Sequence, residues 1–353
     1  MDDGHIPYPA ADIDPKVAAL DFRAYRPGDE AAILRAFNAV FGGHPDFEPR
    51  TLASWRWQFA DNPFGLRYQL AVTPDGEVAA QYPCTPAPFV TPEGIRSVAQ
   101  AVDIMARPEW RKGAHPGPSA FAIVGERASL ECFERGEIMI YGYPMPRALA
   151  MGLRYLNLDV VRIVDYLVRQ VGVVGPDVPP GIELREGMPE DAELDRIERA
   201  TRAGRKLATL RDARWFRWRY ATCPHAAYSF VQARRAGELV GLLVLRCPHA
   251  TALRGATIAD WIAVDHDDEV IDALIAHVEG RVRATGGQGM AAIAPPWSPE
   301  FHELRARKFG VIPTAWTIER HLTYRVPPAL AGTLSRERLA EEWYYTFGDS
   351  DLV

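Results

Sequence analysis

Two loops in matching places of this chain carry opposite charge, and only one of them suits an anion. The first reads Arg107-Pro108-Glu109-Trp110-Arg111-Lys112-Gly113-Ala114-His115-Pro116-Gly117 and leads into an expected helix over Ser119–Arg135. A loop that feeds a helix N-terminus faces unsatisfied backbone N–H groups and the positive end of the helix dipole. Such an end holds phosphate well. Gly113 admits close backbone approach, and Arg111, Lys112 and His115 add cationic side chains. The second loop, Asp265-His266-Asp267-Asp268-Glu269, presents four carboxylates, which cap a helix and repel an anion. Upstream of the first loop, Asp103 stands among the apolar Ala101, Val102 and Ile104, where burial would raise its pKa toward that of a working base. Asp260, in Ala259-Asp260-Trp261, holds the equivalent place and suits a structural carboxylate equally well. Cys84 has no histidine placed beside it and reads as a buried apolar thiol.

The elements that must position these residues come in two copies. Trp57-Gln58-Phe59-Ala60, then Pro63 and Gly76-Glu77, returns 161 positions later as Trp218-Arg219-Tyr220-Ala221, then Pro224 and Gly237-Glu238. A repeat this long means a duplicated domain, since solenoid units run to roughly 20–50 residues. The first copy is expected to open with a strand at 22–25 and a helix at 29–41, whose Ile33, Leu34, Phe37 and Val40 fall at helical spacing. A Trp-bearing helix stops before Asn62-Pro63. A hairpin over 68–81 turns at Pro74-Asp75-Gly76. Pro83, Pro86 and Pro88 mark an edge or bent strand. A single central strand is expected over Ser97–Met105, then the basic loop, the helix stopping at Gly136, a strand at 138–141 and a short helix at 146–153. The second copy repeats the plan: helices at 190–201, 212–221 and 269–285, a hairpin over 228–246, and strands at 257–264, 289–293 and near 316–324. A strand–helix–strand crossover requires parallel strands, so the class is mixed α/β. The expected division is an arm over 1–20, a first domain over 21–176, a second over 177–326 joined at Pro179-Pro180, and a tail over 327–353 that folds back on the domain pair.

Bulk properties exclude several classes. The 353 residues suffice for about two domains. A net charge of −6 argues against a nucleic-acid binder, and no apolar run reaches the roughly 18 residues of a membrane helix. Cys84, Cys132, Cys223 and Cys247 lack Cys-x-x-Cys spacing, so no metal site is expected and reduced thiols in the cytoplasm are.

The order of elements, the phrase Arg107–Gly113, Tyr141-Gly142-Tyr143-Pro144, and the helix ending Asn62-Pro63-Phe64-Gly65 together resemble the GCN5-related N-acetyltransferase (GNAT) superfamily. The resemblance is to its two-domain members and spans residues 20–325. It implies two tandem domains, each a mixed, mostly antiparallel sheet with flanking helices and one parallel strand pair. It also implies that Ile104, Met105 and Ala106 bond the pantetheine of acetyl-CoA or another acyl-CoA. Arg107, Arg111, Lys112, Gly113, Ala114 and His115 would surround the pyrophosphate. Ala114 and Pro116 stand where the family motif has its key glycines, and His115–Pro118 looks like an insertion.

Acyl transfer to an amine needs a neutral amine, a polarised thioester and a proton for the departing thiolate. Asp103 is the candidate base, and Tyr143 and Tyr141 are the candidate acids that the resemblance implies. The expected function is an acyl-CoA-dependent N-acyltransferase, acetyl as the first choice. Its cofactor sits in the N-terminal copy, and its acceptor, a small amine, lies in a cleft shaped by both copies. The second copy is a scaffold that has lost the phosphate loop. A homodimer is one open arrangement. Two rivals stand beside it: a non-catalytic protein built from degenerate copies, and an aminoacyl transferase of the Fem type. The charge and the lack of a coiled-coil arm disfavour the latter.

Overall fold

The computed structural model describes residues 6–43, 47–111, 117–172, 178–251, 253–314 and 319–352. The chain divides into two compact units. The first takes Met1–Pro88, Arg96–Val160 and Leu322–Leu334, and the second Phe89–Ile95, Val161–His321 and Ser335–Val353. No helix among the described residues is long and apolar enough to cross a membrane.

In the first unit a short helix α1 (Pro15–Ala18) precedes β1 (Asp21–Ala24). Helix α2 (Glu30–Phe41) buries Ile33, Ala36 and Phe37 on one stripe. Helix α3 (Leu52–Trp55), capped by the Thr51 hydroxyl on the Ser54 N–H, widens into a π-helical turn at Arg56–Ala60. Then come β2 (Arg67–Val72), β3 (Val78–Thr91), β4 (Gly94–Ala101), β5 (Met105–Ala106), α4 (Ala120–Glu134), β6 (Glu137–Gly142), α5 (Pro146–Tyr155) and β7 (Asp159–Ile163). Strand β4 runs parallel to β6, with Ser97 opposite Glu137 and Gln100 opposite Tyr141, and α4 makes the crossover. Alternation along the strands sends Leu70, Val78 and Met105 to a core with Ile33, Trp55 and Phe59. Ala71, Tyr82 and Ala106 go to a core with Ile123, Val124 and Ala128 of α4. Cys84 lies fully buried in the latter, as expected of an apolar thiol.

Strand β3 is not the edge its three prolines suggested: it is flanked by β2 and β4. Pro83 accepts from the Val102 N–H at 3.2 Å, and the return bond is the one that proline cannot donate. The ladder weakens where β4 leaves it. Pro86 and Pro88 lie past the last rung with β2, Cys84 opposite Arg67, where a missing donor costs nothing.

The second unit contains β8 (Tyr166–Gln170), β9 (Ile182–Glu186), α6 (Asp191–Arg202), β10 (Leu207–Thr209) and α7 (Ala213–Phe216) with a π-helical turn at Arg217–Ala221. After them come β11 (Ser229–Arg235), β12 (Glu238–Ala250), β13 (Arg254–Ala263), α8 (Asp268–Ala284), β14 (Gly289–Ala292), α9 (Pro299–Ala306) and β15 (Gly310–Ile312). Strand β16 (His321–Arg325) follows, and then α10 (Arg336–Glu342) and β17 (Trp343–Tyr344). The parallel pair here is β13 and β14, with Gly255 opposite Gly289. Both copies thus keep the π-helical turn at the same 161-residue offset.

The units are not the simple halves expected from residues 21–176 and 177–326. Strand β16 lies between β6 and β7 in the first sheet, and β8 lies between β14 and β15 in the second. The first half of the chain gives β8 to the second sheet, and the second half gives β16 to the first sheet, to which β10 also adds, Ala208 opposite Val90. Thr323 donates through its hydroxyl to the Gly142 carbonyl at 3.1 Å, and Arg325 forms a bidentate pair with Glu126 of α4. The segment Ser335–Val353 belongs to the second unit, where Trp343 and Tyr344 of β17 run parallel to Leu207 and Ala208.

Candidate functional site

The expected continuous strand over Ser97–Met105 is broken. Asp103 adopts φ +50°, a left-handed conformation that a non-glycine residue rarely takes. Its carbonyl accepts from the Gln81 side chain at 2.9 Å, which holds the kink. Up to this point β4 stays on β6. Gly142 comes so close to the Ala101 carbonyl that a Cβ there would lie 3.1 Å from it. Beyond the kink β5 pairs with β3, Ala106 opposite Ala80 and Met105 opposite Gln81, and no longer with β6. The two strands therefore part like a V. Arg107 donates its N–H to the Ala79 carbonyl, so by alternation Ala106 turns its N–H and C=O away from β3, toward the gap. Those are the groups a linear amide chain would meet.

Arg111 folds back so that its Nε donates to the Ala106 carbonyl at 2.7 Å, which sets its charge at the mouth of the gap. Arg107 is turned between Glu77 and Glu109, at 3.7 and 3.2 Å. Lys16 lies over the Trp110 ring at 4.4 Å. Lys112, Gly113, Ala114 and His115 lie outside the described residues. Helix α4, which follows, has no acidic residue in its first turn and is capped by the Ser119 hydroxyl. Helix α8 is the opposite. Asp267 accepts from the N–H groups of Glu269 and Val270 and is paired with Arg235 at 2.5 Å. The Arg235 hydrogen bond holds the Asp267 carboxyl below its ordinary pKa. Among the described residues one helix end is filled by the chain's own carboxylate and the other is not.

Tyr141 stands on the last rung between β4 and β6, opposite Gln100, and Tyr143 follows the end of β6 on the same side by alternation. Both are buried. Asp103 is no isolated carboxylate. Arg50, in the loop between α2 and α3, binds both of its oxygens, Nη1 to Oδ2 at 2.5 Å and Nη2 to Oδ1 at 2.9 Å. Burial raises the Asp103 pKa, and the Arg50 charge opposes that rise. Arg50 also donates to Gln58, stacks 4.8 Å over Phe37, and is clamped through its backbone by the Asn38 amide.

The second unit repeats this pair. Arg211 lies 161 residues after Arg50, each just before a helix N-cap, and binds Asp260 through Nε at 2.9 and 2.7 Å. Here the tail joins in. Arg211 Nη2 donates to the Thr346 hydroxyl at 3.0 Å and to the Asp349 carboxylate at 2.5 Å. Arg219 donates to the carbonyls of Gly348 and Ser350, and the Tyr220 hydroxyl to Asp260. Arg211, Asp260 and Asp349 have no solvent-exposed side-chain surface. The arginines escaped sequence reading although their offset equals that of the tryptophans. A small cleft of about 160 Å³ remains in this unit at the end of β13, lined by Asp265, His266, Trp297, Glu300, Arg205 and Tyr344. Among the described residues no cluster of side chains could hold a metal ion.

No family model matches the sequence, and no curated protein matches it. Solved structures do. A GCN5-related N-acetyltransferase from Anabaena variabilis matches with a TM-score of 0.63 at 8% identity, covering 87% of this chain and 72% of that one. A protein of Enterococcus faecalis described as a probable N-acyltransferase matches at 0.62 and 10%, with the same coverages. A tandem GNAT protein from the clavulanic acid biosynthesis pathway matches at 0.55 and 12%, over 87% of this chain and 98% of that one. With the V between β4 and β6, the parallel pair in each unit and the duplicated plan, the chain has the fold of the GCN5-related N-acetyltransferases in its tandem form.

Proposed function

We propose that this chain is an acyl-CoA-dependent N-acyltransferase, with acetyl as the preferred group, whose first unit takes the cofactor and a small amine as acceptor. One observation carries it: the kink at Asp103 opens β4 from β6, and the next long helix, α4, carries no carboxylate in its first turn. The bound thioester supplies an acyl group whose carbonyl carbon the acceptor nitrogen attacks while the C–S bond breaks. Ile104 and Ala106 would bond its amide chain, Ala106 with its outward N–H, while Met105 between them pairs with β3. Arg111 meets the diphosphate at the positive end of α4. Tyr143 or Tyr141 returns a proton to the thiolate. Asp103, whose buried carboxyl is raised in pKa against the opposing charge of Arg50, attracts the acceptor's ammonium and takes the proton it must lose, directly or through water.

The second unit serves as scaffold. Its helix α8 carries Asp267 where a diphosphate would sit, and its tail occupies the place beside Arg211. The test is thermal stability of the wild-type protein and Arg111→Ala with acetyl-CoA and with free CoA. Wild type should gain about 1–3 kcal/mol at large ligand excess, and the variant clearly less. No gain with either ligand would remove the cofactor, and with it the proposal.

A further inference from the structure

Among the described residues, the arginine of the second pair carries another carboxylate and that of the first does not. Arg211 binds Asp349 of the tail as well as Asp260, with Phe347 packed two residues before it. The fit is close, since a Cβ on Gly348 would lie 2.2 Å from the Tyr220 hydroxyl. The tail is therefore a built-in occupant of the second copy, and it shows what this arginine position holds. In the first unit Arg50 meets no carboxylate besides Asp103 among the described residues, and its side chain keeps 20% of its surface open. Of its five N–H groups, those given to Asp103 and Gln58 come from Nη1 and Nη2. Among the described residues Nε and one N–H of Nη2 have no acceptor and are open to a ligand.

Charge balance narrows the ligand. In the second unit Arg211 and Arg219 face Asp260 and Asp349, so two positive charges meet two negative ones. In the first unit Gln58 stands where Arg219 does, leaving Arg50 and Asp103 already balanced. A lone carboxylate would add an uncompensated charge there. A zwitterion would not. Beside Arg50, the rings of Phe37, Phe41 and Phe47 form a cluster with centroids 4.6 to 6.5 Å apart, and Phe41 is 37% exposed.

We infer that Arg50, Asp103 and the Phe37–Phe41–Phe47 cluster form the acceptor site, and that the acceptor is an amino acid with an apolar side chain. Its carboxylate sits on Arg50, its ammonium faces Asp103 and its side chain lies on the phenylalanine rings. This rests on the acyltransferase reading only for the word acceptor, because the site binds without cofactor. Asp103 directly precedes Ile104–Ala106, so the amine stands at the strand edge assigned to the thioester.

Calorimetric titration of the full chain with L-phenylalanine, L-leucine, L-phenylalaninamide and, separately, acetyl-CoA tests it. At least one of the two amino acids should bind. The amide should bind at least about tenfold more weakly than phenylalanine, the loss of one charged contact. Arg50→Gln should lose amino-acid binding while keeping wild-type affinity for acetyl-CoA, which also shows that the variant is folded. Phe41→Ala, at an exposed position, should weaken phenylalanine several-fold. Equal binding of acid and amide, or no binding of either amino acid, overturns the inference. Acetyl-CoA heat without amino-acid heat leaves the acyltransferase standing alone, and the reverse leaves the site without the enzyme.

Discussion

Arg211 and Arg50 occupy one position in a duplicated plan, yet burial gives them different energetic weight. Arg211, Asp260 and Asp349 are wholly enclosed, and removing the arginine would leave two carboxylates without water and without the ion pair that Arg211 gives each of them. Breaking such a set typically costs about 3–5 kcal/mol. Arg211→Ala should therefore lower the chemical denaturation midpoint sharply, and Arg50→Ala, which is partly solvated, distinctly less. Equal losses would show that the tail adds nothing to the second pair. Half of this was legible from residue types alone. Asp103 and Asp260 were visible as equivalents, but their arginine partners sit more than fifty residues and nearly fifty residues away, and only the shared offset could have joined them. The left-handed Asp103 was hidden for another reason. Aspartate tolerates this conformation better than most residues, but the bond that holds it comes from the Gln81 side chain on another strand.

At the level of elements, the two helices after the parallel strands carry the clearest contrast. Asp267 caps α8 and is paired with Arg235, and its folded pKa lies below the ordinary value. A depressed carboxyl pKa contributes stability that is fully present above the unfolded value, near 3.8, and is lost as pH falls through the folded value. Asp267→Asn keeps a capping oxygen but not the charge. It should destabilise the protein at neutral pH by up to about 1 kcal/mol, with the difference from wild type vanishing in acid. Urea titrations at several pH values measure this, and a pH-independent difference would contradict it. Helix starts and stops were legible because their signals are local: Ser119 and Asp212 cap as their types require, and Gly136 ends α4 at φ +93°. The π-helical turns were not, although the same Trp-x-x-Ala stretch carries both.

For the whole molecule, the decisive feature is the reciprocal placement of β8 and β16. Hydrophobic alternation marks a segment as a strand but does not say which sheet receives it, so the division by sequence halves missed the exchange. Residues 1–176 expressed alone should expose the edge of β6 that β16 covers, and residues 177–353 the edge of β14 that β8 covers. Open edges recruit other chains. Each fragment should be insoluble or aggregated, and co-expression should recover soluble protein. A monomeric, cooperatively melting N-terminal fragment would refute this. The same trade of strands carries a consequence for descent. Gene recombination that brought a new partner half to either copy would have to deliver a compatible edge along with it. The pair is therefore inherited as one unit, and each half's surface is free to drift only where the other's borrowed ribbon does not lie.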